Sequence, residues 1–181
     1  FTINVIGAGS NTLIRDSGIK GVVIKLSSKF SQIKLISKNI IEVGAAALDR
    51  NVSDFAKENS LGGMEFLSCI PGSVGGAIIM NSGCYGSEIS QILSSIKILD
   101  RNGIEKELTR DMIDFFYRGC NIPEEYLILS AKLKGILSSK ELIKRKQEEF
   151  IKRKKISQPS RIKTGGSTFK NHKEKKAWKL I

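Results

Sequence analysis

The sequence predicts a globular fold of short strands interrupted by a few helices, and three observations carry that expectation. Short β-branched runs punctuated by Gly, Ser and Asn recur at 3–6, 21–26, 33–36 and 40–43, as strands joined by turns require. The period then changes. Leu48, Val52, Phe55 and Ala56 recur at i, i+4, i+7 and i+8, which places a helix over 48–60 with Gly62 as its stop. Finally, 40% of the 181 residues are hydrophobic and 27% charged, enough apolar surface for a core and too much for a disordered tail.

The remaining elements follow along the chain. Residues 96–99 and 104–108 flank Asp100-Arg101-Asn102-Gly103, a hairpin signal because Asn and Gly tolerate the positive φ of such turns. A strand is expected at 127–133. A helix is expected over 139–155, with Leu142, Ile143, Phe150 and Ile151 as its apolar positions, until Ser157-Gln158-Pro159-Ser160 breaks it.

Charge and composition narrow the chemistry. A net charge of +12 admits an anionic partner, and much of the excess falls within 140–155. A solvated helix face is the better reading of that run than a nucleic-acid site, because Phe150 is its only aromatic and leaves no set of rings for base stacking. Cys69, Cys84 and Cys120 contain no Cys-x-x-Cys pair and point to a reducing compartment, and His172 alone cannot build a multi-histidine metal cluster. No metal site is expected. No apolar run approaches the roughly 20 residues of a membrane span, and the opening lacks the pattern of a signal peptide, so a soluble, cytoplasmic chain is expected.

Three glycine-containing stretches bear on chemistry. Gly7-Ala8-Gly9-Ser10-Asn11 follows a strand like a dinucleotide fingerprint, but Thr12 replaces the third glycine and the next clear element is a strand, which argues against a Rossmann domain. Either an ordinary turn or a nest of backbone amides for phosphate fits it. Pro71-Gly72-Ser73-Val74-Gly75-Gly76 combines a fixed dihedral with glycines that lack the Cβ atoms that hold a ligand off the backbone. It fits a tight turn into the apolar AIIM segment or close main-chain contact with a ligand. Gly165-Gly166-Ser167-Thr168-Phe169-Lys170-Asn171 fits a turn, or a polar cluster for an anionic substrate.

The ordered combination of these blocks with Arg15-Asp16-x-Gly18, Gly63-Met64-Glu65-Phe66-Leu67 and Tyr117-Arg118 resembles the UDP-N-acetylenolpyruvoylglucosamine reductase (MurB) family along nearly the whole chain. The resemblance implies an α+β fold, an FAD-binding fold of the vanillyl-alcohol-oxidase (PCMH) type, followed by the start of a MurB C-terminal substrate domain. It divides the chain into an FAD-binding domain at 1–135, a helical connection at 136–157 and the beginning of a substrate-binding domain at 158–181. It also implies FAD and NADPH as cofactors and a UDP-sugar carrying an enolpyruvyl group as substrate, with UDP-N-acetylmuramate as product. No membrane or nucleic-acid partner is expected.

By the same resemblance, Gly7, Ala8, Gly9, Ser10 and Asn11 with Pro71, Gly72, Ser73, Val74, Gly75 and Gly76 cradle the flavin and its pyrophosphate. Tyr85, Tyr117, Lys170 and Asn171 contact substrate. Arg118 matches the arginine that stabilises enolate-like charge, and Ser167 the serine that donates a proton to the substrate α-carbon. Without the family context, a surface ion pair of Arg118 with Asp111 or Asp114 is the simpler reading. The chain departs from the family at His172, where proline is usual, and in the Lys173-Glu174-Lys175-Lys176 that follows. The family places strands before the first glycine turn and a glutamate near its C-terminus, so a chain running from Phe1 to Ile181 reads as cut at both ends. Its spacing fits the shorter subgroup. An inactive remnant that keeps flavin and, less favoured, a basic nucleic-acid-binding module are the competing expectations.

Overall fold

Burial alternates along Ile40–Gly44, as a strand with one face on a core requires, and Ile41 and Val43 are fully buried. A computed structural model describes residues 2–158 together with Lys170, Asn171 and Ala177. Its strands are β1 (Ile3–Val5), β2 (Val22–Ile24), β3 (Ile33–Ser37), β4 (Ile40–Gly44), β5 (Leu61–Gly62), β6 (Gly83–Cys84), β7 (Ser87–Glu88), β8 (Leu93–Leu99), β9 (Glu105–Thr109), β10 (Phe115–Phe116), β11 (Gly119–Cys120), β12 (Leu127–Lys134) and β13 (Ile136–Leu137). The helices are α1 (Asp49–Glu58), α2 (Val74–Ile79) and α3 (Lys140–Ser157).

The centre is a five-stranded antiparallel sheet in the order β3-β4-β12-β8-β9. The expected hairpin joins β8 to β9. Asp100 Oδ1 accepts from the amides of Asn102 (2.8 Å) and Ile104 (3.0 Å), Gly103 takes the positive φ, and Lys106 lies 2.6 Å from the carboxylate. Helix α2 packs on β4 and β12, while α1 and α3 pack on a 3-10 segment, Glu65–Cys69, whose Phe66 and Leu67 are fully buried. Apart from this body, β1 and β2 pair in parallel, Ile3 opposite Val22. A parallel pair needs a crossover, and the chain between these two strands carries the first glycine turn.

Three expectations are corrected. Leu48 is not on the buried face of α1; it is the extended residue before the helix and half exposed, and the buried first position is Asp49. On α3, Leu142 is 59% exposed, and the inner face is made by Ile143, Phe150 and Gln147, whose Nε2 donates to Ser53 Oγ at 2.8 Å. Gln147 sits four residues from Ile143, so helical geometry requires it inward, and the bond to α1 offsets the cost of burying its amide. The third concerns residues 71–76. They are not all loop, because α2 begins at Val74 and includes both Gly75 and Gly76.

Candidate functional site: a glycine-lined cleft

The two glycine segments are far apart in sequence and meet in space. A Cβ on Gly7 would lie 2.5 Å from Ser73 Oγ, so the first turn rests directly against the second segment, and a side chain at Gly7 would require Ser73 to shift. Asn11 Nδ2 reaches Met80 Sδ at the end of α2 (3.6 Å), a second tie between them. On one side of this junction lies a cleft of about 1840 Å³, larger than the roughly 1,000 Å³ upper range of small-molecule pockets. Its walls include β1, the Gly7–Asn11 turn, most of the segment from Ala45 to Asp49, and most residues between Cys69 and Gln91.

The second segment is held by backbone bonds to the stretch before α1. Asp49 N donates to Gly72 O (3.2 Å), Val74 N to Ala47 O (3.0 Å) and Gly75 N to Ala45 O (2.9 Å). Val74 and Gly75 thereby commit their amides to the scaffold, and the Val74 side chain is fully buried in the core. Of the residues the sequence grouped here, Pro71, Gly72, Ser73, Gly75 and Gly76 line the cleft, and so does every residue of Gly7–Asn11.

Beneath these segments lie polar atoms without partners. Both carboxyl oxygens of Asp49 and the hydroxyl of Ser73 are buried and make no hydrogen bond among the described residues. Burial alone pushes the Asp49 carboxyl up to about 7. Burying such groups unpaired is costly, so they mark a place where stability is not the sole determinant of the sequence.

The same cleft is also lined by most of the residues expected to touch substrate. Tyr117 and Arg118 form the two-residue tip between β10 and β11, and Arg118 is half-buried with φ +61°. That position usually takes Gly or Asn, and non-glycine residues held there concentrate at functional sites. The hydroxyl of Tyr117 accepts from Asn171 N at 3.3 Å, so Tyr117, Arg118 and Asn171 come together at the cleft. Asp111 and Asp114 have partners of their own, Thr109 and Asn121. Tyr85, also left-handed at φ +55°, stacks its ring on Phe150 of α3 at 5.0 Å, with the Arg153 guanidinium 5.9 Å from the ring centre. Burial raises the Tyr85 phenol, partly offset by a hydrogen bond with Ser157. Lys170 is exposed and outside the cleft lining, and Ser167 lies outside the described residues.

Two cleft residues escaped the sequence reading. Lys154, counted above with the solvated face of α3, turns inward and donates to Cys69 O at 2.6 Å. Nothing in a run of lysines distinguishes the one that faces a cleft. Asp49 reads in the sequence as an ordinary first-turn acid, and only the fold shows its burial.

A family model described as FAD binding domain matches residues 1–109. A UDP-N-acetylenolpyruvoylglucosamine reductase of Pelagibacter ubique (strain HTCC1062) is 45% identical over 182 residues, covering 99% of this chain and 60% of that protein. One from Wolbachia pipientis wMel is 43% identical over 180 residues, with 99% and 61% covered. The crystal structure of UDP-N-acetylenolpyruvylglucosamine reductase (MurB) from Thermus caldophilus superposes with a TM-score of 0.89 at 32% identity, over 99% of this chain and 65% of that one. Carbon monoxide dehydrogenase of Hydrogenophaga pseudoflava, at 10% identity and a TM-score of 0.58, covers 74% of this chain and 52% of its own, and shares the fold alone. The chain thus spans about three fifths of the length of the curated relatives it matches.

Proposed function

Because this chain belongs to the FAD-binding-domain family, we propose that its cleft holds FAD and serves a MurB-type reduction of a UDP-N-acetylglucosamine enolpyruvate by NADPH. The observation that carries the reading is that the two glycine segments meet and line one cleft together with Tyr117, Arg118 and Asn171. The glycine wall fits a dinucleotide because backbone, rather than side chains, forms its surface at Gly7 and Gly72. A bound flavin supplies hydride chemistry that no side chain here provides.

The residues of the chain take the other roles. Gly7–Asn11 and Pro71–Ser73 hold the cofactor's backbone, while Val74 and Gly75 fix the shape of that wall. The guanidinium of Arg118, on the tip of a hairpin, stabilises negative charge that develops on the substrate carboxylate. Tyr117 and Asn171 orient the sugar nucleotide, Tyr85 contacts it within the cleft, Lys170 reaches it from the exposed surface outside the lining, and Ser167 delivers the proton to the α-carbon. In this reading residues 1–135 form the FAD-binding domain, 136–157 the helical connection and 158–181 the start of the substrate domain. The connection is docked rather than loose, since β13 pairs with β5 and Phe150 is buried against the 3-10 segment's side of the body.

Anaerobic absorption spectra test the proposal. The FAD-loaded chain is expected to bleach on addition of NADPH and to recover its flavin band on addition of the enolpyruvyl sugar nucleotide. Arg118→Ala is expected to bleach as before and recover at least tenfold more slowly, the scale of one lost charge-stabilising donor. Bleaching without recovery in the unaltered chain would leave cofactor binding in place and refute the reductase reaction.

A further inference from the structure

The unpartnered carboxyl of Asp49 has no role in the reading above, yet it occupies the point where both glycine segments converge. A Cβ on Gly72 would stand 2.8 Å from Asp49 Oδ2 and 3.6 Å from Ser10 Oγ, which puts the carboxyl directly behind the two segments. It is 0% exposed and both oxygens lack a hydrogen-bond partner among the described residues.

Among the described residues no counter-charge surrounds it. The segments packed round it, 7–11, 44–48 and 70–74, carry no ionisable side chain. On its own helix, Arg50 is 75% exposed and turned toward Asp54, at 3.9 Å. The charged residues lining the rest of the cleft, Lys25, Glu88, Arg118, Glu124 and Lys154, contribute nothing to the raised affinity of Asp49 for its proton, which comes from burial alone. The positive end of α1 favours the ionised form, but burial dominates. Near neutral pH the carboxyl is therefore poised between its two states.

Resting on the reading that a dinucleotide's phosphates lie over the glycine segments, we infer that Asp49 is a proton-linked positioning residue which binds a proton when the anionic cofactor enters. A diphosphate placed over a buried carboxyl in a low-dielectric wall disfavours the second negative charge. The bound complex therefore holds Asp49 neutral. The proton comes from solvent and returns to it on release, so no other group changes its charge.

The linkage has a definite sign. Asp49 binds its proton more tightly with cofactor present, so affinity for FAD is flat below about pH 7 and falls as pH rises above it, up to about tenfold per pH unit at the steepest. Asp49→Asn replaces the neutral acid by a near isostere that cannot ionise, and its affinity for FAD stays near the low-pH value throughout.

Titration calorimetry with FAD at pH 7.5, repeated in buffers of different ionisation enthalpy, reads the proton directly. The unaltered chain is expected to take up about half a proton or more per FAD bound, and to bind FAD up to about tenfold more weakly at pH 8 than at pH 6. Asp49→Asn is expected to take up none and to show no such decline. The inference is overturned by FAD binding in the unaltered chain whose heat is independent of buffer, a result that needs no variant to fold. Proton uptake that persists in Asp49→Asn overturns it too, because the proton then goes to another group. Absence of FAD binding by folded chain overturns the site assignment itself and the inference with it.

Discussion

Asp49 gives the sharpest prediction about the protein without its cofactor. In the unfolded chain its carboxyl has its ordinary value of 3.8, and in the fold burial raises it to about 7. The folded state therefore holds a proton that the unfolded state has released between those values, so stability falls as pH rises through this window and levels off above about 7. Applying 1.36 kcal/mol per unit to these two values, the loss from this group between pH 5 and pH 8 is roughly 2–3 kcal/mol. Asp49→Asn removes the group from the titration. Urea unfolding at pH 5, 6, 7 and 8 is expected to show the unaltered chain losing that much more stability than Asp49→Asn across the range. Parallel profiles for the two proteins would refute the reasoning, since a carboxyl with solvent or a partner at hand would have no such dependence.

Other changes separate stability from function. Phe150→Ala removes a buried ring that also stacks on Tyr85, and is expected to cost about 3–5 kcal/mol and to open α3 to limited proteolysis. Arg118→Gly relieves a left-handed backbone but removes the same guanidinium as Arg118→Ala, and is expected to slow turnover of the enolpyruvyl substrate at least tenfold, as that variant does. Turnover at the unaltered rate would show that the guanidinium has no part in the reaction. Asp100 is held below its ordinary value by Lys106 and two hairpin amides, so its contribution is present at neutral pH and lost as pH falls through that lowered value. Asp100→Asn is accordingly expected to lower the melting temperature at pH 7 and to narrow the gap to the unaltered chain at pH 3, with FAD affinity unaffected.

Much of the body was legible because its signals are local. The Asp100–Gly103 turn, the strands 33–36 and 40–43 and the two long helices follow from turn chemistry and period, and the boundaries differ from those expected by a few residues. The helix at Val74–Ile79 was hidden because Gly75 and Gly76 are poor helix formers. Contacts to Ala45 and Ala47, distant in sequence, hold that first turn. The hairpin that presents Tyr117 and Arg118 was hidden for a related reason: its strands are two residues each, too short for alternation to register. The glycine segments could be picked out one at a time, but their contact could not, and it is the contact that makes a cleft. Asp49 and Lys154 show the same limit at single residues, because burial of one acid and the inward turn of one lysine among many depend on tertiary placement.

The central claim is that FAD lies against the glycine wall, and an equilibrium titration followed by quenching of flavin fluorescence tests it most directly. Ser10 is exposed on that wall, so Ser10→Trp fills the cradle without disturbing the core. The account predicts saturable FAD binding by the unaltered chain and at least tenfold weaker binding by Ser10→Trp at an unchanged melting temperature. Equal affinity in the two proteins would contradict it.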